Sequence, residues 1–277
     1  MRQEITEIFL TQSFFEKLQS AQSYLIGLTL ISLFLLFTLP ISLLASARNE
    51  AALVDGERLV YDIKYGVVTA GEATLNLQKR EYQGNDIWRI FTTAETNSFF
   101  DRVFRVRDFI ESIANYDDFS SLVFTKRLQE GRYRQHRIHQ NYFDQNLSIY
   151  SNFRFSRGEF EDTQMEIPDI TYDLLSAFIK VRSMDLTVGQ TVDVPVTVDG
   201  KNYKALVRVL RRETIPSLLG RVDCLVIEPA LEGEAIFQQT GDIHIWLTND
   251  DKKIPVLLQS KVIFGSFKAT LKEIQYL

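Results

Sequence analysis

Residues 48–277 are predicted to fold as an all-β, mainly antiparallel domain: a strongly curled sheet or open barrel with one packed α-helix, preceded by an N-terminal hydrophobic signal or anchor helix. Three observations carry this. Apolar and polar residues alternate with a period of two through most of the chain. The alternating runs are joined by short connections containing glycine. Only one segment switches to a helical period.

The elements follow in order. No charge occurs between Lys17 and Arg48, and Tyr24 to Leu44 is dominated by Leu, Ile and Phe, long enough for a helix to span a bilayer. Ala45-Ser46-Ala47 closes the run with the small-x-small pattern that signal peptidase accepts, so cleavage is expected after Ala47. The preceding charges Arg2, Glu4, Glu7, Glu16 and Lys17 are net acidic, which leaves a second reading open. In that reading residues 1–47 stay attached and residues 24–44 anchor the protein in a membrane, with the domain outside the cytoplasm.

In the domain, Leu59, Tyr61, Ile63 and Tyr65 share one face of a strand, and the apolar parity then changes across Gly71, as a glycine bulge would require. Further strands are expected at Ile87–Ala94, Phe104–Ile113, Leu122–Leu128, Tyr133–His139, Leu147–Phe155 and Glu159–Ile167. Val192, Val194, Val196 and Val198 alternate up to Asp199-Gly200, and Tyr203, Ala205, Val207 and Val209 alternate away from it, the pattern of a two-residue hairpin with a primed turn. Strands at Val222–Glu228, Asp242–Thr248, Pro255–Phe264 and Phe267–Ile274 complete the set. The helical period falls at Ile170, Leu174, Leu175, Phe178, Ile179 and Val181, which predicts a helix over about Asp169–Val181 with Asp169 as its N-cap.

Taken together, Gly56–Tyr61, Tyr65-Gly66 through Ala70–Ala73, Tyr172–Phe178, Gly220–Cys224, and Trp246–Asp250 through Ile254–Val256 to Gly265-Ser266 resemble the exported bacterial family domain of unknown function 3108. The resemblance implies a mostly β protein of the periplasm or cell envelope. It supplies no catalytic residue.

Composition and motifs narrow the chemistry. With 31 Lys+Arg against 36 Asp+Glu, a net charge of −5 and no basic block, nucleic acid is not the expected partner. Cys224 is the one cysteine, which excludes an intrachain disulfide, and its strand parity with Val222 and Val226 predicts a buried, inert thiol. His136 and His139 form an H-x-x-H pair on a strand, where odd spacing sends the rings to opposite faces. They are read as solvated hairpin histidines, and no metal is expected. His244, Trp246, Asp250 and Asp251 have the residue types of a glycan hydrolase, yet carboxylates adjacent on a turn rarely reach the required separation, so a polar turn is the better account.

No catalytic residue and no cofactor are therefore expected. The aromatic strand positions, among them Phe91, Phe109, Phe124, Phe153 and Phe155, either fill the interior or line an apolar cavity. The preferred reading is a non-catalytic binder of a lipid-like or amphiphilic envelope component. Leu174 and Phe178 of the helix would line its tail site, with Arg105 or Arg107 at its anionic head. The alternatives are a structural or assembly protein that binds other envelope proteins, and a glycan hydrolase.

Overall fold

The computed structural model describes residues 53–232, 243–262 and 265–277, so the expected signal or anchor segment and its cleavage site lie outside the described residues. The described chain forms β1 (Glu57–Tyr65), β2 (Val68–Tyr82), β3 (Asn85–Thr96), β4 (Arg107–Asn115), β5 (Ser121–Glu130), β6 (Tyr133–Tyr142), β7 (Leu147–Arg154) and β8 (Glu159–Glu166). The helix α1 (Leu174–Arg182) comes next. β9 (Thr191–Val198), β10 (Lys201–Ser217), β11 (Gly220–Glu232), β12 (Ile243–Thr248), β13 (Pro255–Val262) and β14 (Gly265–Tyr276) follow it.

All fourteen strands belong to one antiparallel sheet, ordered β8-β7-β6-β5-β4-β3-β2-β1-β14-β13-β12-β11-β10-β9. Two meanders, β1–β8 and β9–β14, are thus joined where β1 pairs with β14. The sheet is not closed, and its two edges are β8 and β9. Among the described residues no helix is long and apolar enough to cross a membrane.

The local expectations of bulge and turn hold. Gly71 pairs with Ile63 and Thr69 with Lys64, so Ala70 is the extra residue. A Cβ at Gly71 would meet the Glu95 carbonyl oxygen, which explains glycine there. Asp199 and Gly200 both have positive φ, 51° and 78°, the requirement of a primed hairpin turn. β10 runs past Leu210 to Ser217, with its register against β11 shifting between Val209 and Arg211.

Three expectations need correction. The fourth strand begins at Arg107 rather than Phe104, because Phe100–Arg102 form a 3₁₀ turn and Phe104 packs beside Ala70 and Val106. The helix begins at Leu174, capped by Asp173 instead of Asp169. Thr171 and Tyr172 are drawn out of the helix by the exposed edge of β9: Tyr172 N–H donates to Pro195 O at 3.0 Å and Thr197 N–H to Tyr172 O at 2.8 Å. Asp169 accepts a hydrogen bond from the Asn146 side chain instead. The third correction concerns His139, which is buried rather than solvated.

α1 lies across the strands. Asp173 accepts from the hydroxyls of Ser112 on β4 and Ser121 on β5 at 2.5 and 2.6 Å, and from the N–H groups of Leu175 and Ser176 at 2.7 and 3.0 Å. Burial pushes its carboxyl above the usual range, against the pull of those donors. At the other end Arg182, 0% exposed, grips Glu57 of β1 with Nη1 and Nη2 at 2.8 and 3.1 Å and donates to the carbonyls of Lys252 and Lys253. Ser112, Ile90, Leu77 and Glu57 stand opposite one another across β4, β3, β2 and β1. Three strand steps of about 4.8 Å match roughly 13 Å of helix from Asp173 to Arg182, so α1 bridges that row like a bar.

Under the bar lies the larger core. Leu77, Ile90, Phe124 and Leu128 from β2–β5 meet Ile179 and Val181 of α1 and the valines of β9, while Leu225, Ile227, Ile245 and Leu247 close it from β11 and β12. A second core joins Leu59, Tyr61, Val256 and Leu271 to Cys224, Val226 and Trp246. Cys224 to Ile227 are therefore buried on both faces of β11. Burial raises the Cys224 thiol to about 11, as expected of an inert cysteine.

Candidate functional site

The four residues read from the sequence as a ligand site are not brought together. Leu174 and Phe178 are half-buried on α1, packed against the larger core. Arg105 is exposed in the loop before β4. Arg107 stands five residues from Ser112 along β4, roughly 17 Å from the row that α1 crosses. Its guanidinium is engaged by Asp101, with Nη2–Oδ2 at 2.6 Å, and by Glu95 at 3.6 Å. Hydrogen bonds from Arg107 and Thr96 hold the Asp101 carboxyl below its ordinary range.

The polar groups that do converge sit on the inner face of β4–β7. Alternation points Phe124, Lys126 and Leu128 inward, and Lys126 stands directly opposite Arg137 on β6. Two cations facing each other inside a sheet demand an anion. The Asp199-Gly200 turn supplies it. Lys126 Nζ lies 2.6 Å from Asp199 Oδ2, and Arg137 Nη1 lies 3.0 Å from Oδ1. Burial opposes ionisation of Asp199, but Lys126 and Arg137 outweigh it and hold the carboxyl below the usual range.

Gly200 N–H donates to His139 Nε2 at 3.0 Å, which fixes the proton on Nδ1, facing Ser148 Oγ at 3.1 Å. Burial drives the His139 pKa down to about 4, so the ring is neutral at pH 7. His136 lies on the opposite face, as its spacing requires, so the two rings cannot share a metal. Among the described residues no group of three His, Cys, Asp or Glu is placed to hold one.

Further along the same inner face lies a carboxyl pair. Asp108 and Glu130 are 4% and 3% exposed and bear on each other, the Glu130 side chain pulling the Asp108 carboxyl down against the effect of its burial. Asp108 also accepts from the N–H of Gln129 at 2.8 Å, standing in for a rung of the β4–β5 ladder. Burial raises its pKa to about 7. Gln135, diagonal to Glu130 on β6, is 4% exposed, and its amide finds no partner among the described residues.

The outer face of the same strands mixes polar residues such as Glu111, Arg127 and Gln140 with several apolar ones. Phe91, Phe109, Ile113, Val123, Ile138 and Ile149 alternate with inward residues and remain half-buried. Towards β8 the row ends in an aromatic cluster. Phe153 packs edge-on against Phe155 at 4.9 Å and Phe160 at 5.1 Å, and His136 stands edge-on to Phe160 at 4.9 Å. Phe91, Phe109, Phe153 and Phe155, expected in the interior, are thus outside.

Residues 60–272 match the model of a family described as "Protein of unknown function (DUF3108)". The chain belongs to DUF3108. Among solved structures it is similar to a beta-barrel-like protein of domain of unknown function DUF1849 from Brucella abortus. The TM-score is 0.53 at 10% identity, covering 82% of this chain and 100% of that one, a likeness of fold alone. No curated protein matches the chain.

The DUF3108 fold thus presents two buried polar clusters and an aromatic cluster at the β8 end of its outer face, with different chemical reach. The Asp199 cluster sets one carboxylate between two cations and joins the two meanders. Asp250 is consumed by its own turn, accepting from Thr248 Oγ1 at 2.6 Å and from the N–H groups of Lys252 and Lys253. The inward Lys126 was legible from its parity with Phe124 and Leu128; its partner 73 residues away was not.

Proposed function

We propose that this DUF3108 protein is an exported, non-catalytic protein of the periplasm or cell envelope that docks another envelope protein on the outer face and free edge of its sheet. The observation that carries the reading is the β8 end of the sheet. Among the described residues β8 pairs only with β7, is exposed along nearly its whole length, and adjoins Phe155 and includes Phe160, which are 53% and 41% exposed. Monomeric proteins rarely leave an aromatic cluster beside an uncovered edge.

The amphiphile carrier expected from the sequence needs space between α1 and the sheet. Ile90, Phe124, Leu128 and Ile179 there are 0–2% exposed, whereas the lining of a void wide enough for water would remain accessible. That packing favours docking over carriage.

The test is photo-crosslinking in the native host from probes at Phe160 and Gln164, with a control at Arg212 on β10. Docking predicts one defined protein adduct from both β8 positions and none from the control. Adducts spread equally over all three sites, or a stoichiometric amphiphile co-purifying with the protein, would overturn the reading.

A further inference from the structure

We infer that three turns at one end of the sheet form a rim that seats the domain on a lipid bilayer carrying anionic headgroups. This concerns a different surface from the β8 edge and does not rest on the docking reading.

The turns are residues 65–68 between β1 and β2, residues 97–106 between β3 and β4, and residues 131–132 between β5 and β6. Backbone hydrogen bonds tie them together: Asn97 N–H donates to Ala70 O at 3.0 Å, and Gly131 N–H to Arg105 O at 2.8 Å. Beneath them Ala70 and Val106 are buried, with Phe100 and Phe104 packed against them. Gly131 lies so close to the Phe104 ring that a Cβ there would come within 2.5 Å. The rim is therefore a fixed feature of the fold, spread over the five strand steps from β1 to β6, or roughly 24 Å.

That small core does not absorb every apolar side chain. Val67 is 95% exposed at the tip of its turn, and Phe99 and Val103, which bracket the 3₁₀ turn, are 67% and 65% exposed. Large apolar groups left in water on a polar rim mark an interaction surface. The charges around them say which kind. Arg102, Arg105 and Arg132 are exposed. Asp101, the one carboxyl in these turns, is taken up by Arg107. Arg102 and Arg132 have no ion-pair partner among the described residues. The rim is thus locally cationic in a chain whose net charge is −5. Apolar tips flanked by free guanidinium groups complement an anionic bilayer, where the tips enter the boundary below the headgroups and the arginines meet phosphates. A fluid surface also closes around tips on separate turns, which a protein could do only with matching hollows.

The experiment uses the full chain with single-cysteine probes. Cys224 is buried and does not compete for label. Phe99→Cys and Leu219→Cys each carry a polarity-sensitive dye; Leu219, 48% exposed on the β10–β11 turn, lies at the other end of the sheet. On vesicles of one part phosphatidylglycerol to two of phosphatidylcholine, the dye at Phe99→Cys should shift to the blue and be quenched by brominated acyl chains. The dye at Leu219→Cys should do neither. Reading the response at the tip keeps an attached apolar segment 24–44 from imitating the result. Adding Arg102→Gln/Arg132→Gln should raise the lipid concentration for half-response about 30-fold, at about fivefold for each cation. Adding Val67→Ser/Val103→Ser should raise it about tenfold or more. Both pairs are exposed and should leave the unfolding midpoint unchanged.

No shift at Phe99→Cys, an equal response at Leu219→Cys, or an equal response on phosphatidylcholine alone overturns the inference. A crosslinker at Phe99 that captures one protein and no lipid in the native host would overturn it too, and would make the rim a protein-docking surface.

Discussion

Replacing Asp108 by Asn should change how stability depends on pH more than it changes stability itself. The Asp108 pKa rises from 3.8 to about 7 on folding. Between those values the folded protein keeps a proton that the unfolded chain has released, so the Asp108 contribution to stability falls as pH rises through the window and levels off above 7. A difference of about 3, at about 1.4 kcal/mol for each, amounts to roughly 4 kcal/mol. Asn is neutral at every pH, accepts from Gln129 N–H through Oδ1, and donates to Glu130 through Nδ2. The variant should therefore match wild type near pH 4 and exceed it by up to about 4 kcal/mol at pH 8.

His139 acts in the opposite sense. Its pKa falls from 6.5 to about 4, so its contribution is complete above 6.5 and is lost as pH drops toward 4, by about 3 kcal/mol. The two slopes oppose each other between pH 4 and 6.5. Wild type should be flatter across that range than either variant, with His139→Gln showing stability that falls with rising pH and Asp108→Asn stability that rises. Urea unfolding followed by tryptophan fluorescence at several pH values measures this directly. Wild-type and Asp108→Asn curves that stay parallel within about 1 kcal/mol from pH 4 to 8 would refute the raised Asp108 pKa.

Four further outcomes are expected. Gly200→Val places a β-branched residue at φ 78° with its Cβ 3.0 Å from the Tyr150 ring, and should lower stability by about 2 kcal/mol or more in the same unfolding assay. Arg182→Met strands Glu57 without its partner inside the protein and should cost about 3–5 kcal/mol by urea midpoint. Asp173→Ala should cost at least about 2 kcal/mol, while Asp169→Ala should change the midpoint by less than about 0.5 kcal/mol. N-terminal sequencing of the protein from its native host should begin at Arg48; residues before Tyr24 would establish the anchor instead.

Strand positions were legible because a sheet with one buried face writes its period into the sequence, as in Val192 to Val198. β11 escaped that logic: Cys224 to Ile227 face two different cores, so alternation there says nothing about which side is inside. The helix was legible, but its start was not. Pro168-Asp169 imitates a cap, and the true signal, Asp173 with Ser176 three residues later, was present in the sequence as a capping box. Which face of β7 is interior depends on what lies across the curl, so Phe153 and Phe155 read as core although they are outside. Arg107 read as a free rim cation because Asp101 reaches it only through the 3₁₀ turn before β4.

The sheet curls fully without pairing its edges, and side chains do the joining. Glu57–Arg182 fastens α1 and the Lys252–Lys253 turn to β1. Asp173 ties the other end of α1 to β4 and β5. Asp199 and Gly200 lock the β9–β10 hairpin onto β5 and β6. Buried ion pairs of this sort stabilise little relative to apolar residues of the same shape, yet losing one partner costs several kcal/mol, so they fix which surfaces meet. A closed barrel would have spent β8 on pairing with β9. Here β9 is covered by Tyr172 and the curl is held from within, and among the described residues β8 is left as an acidic edge. The proposed docking gives that edge an occupant, which is why the crosslinking experiment at Phe160 and Gln164 bears on the architecture as much as on the function.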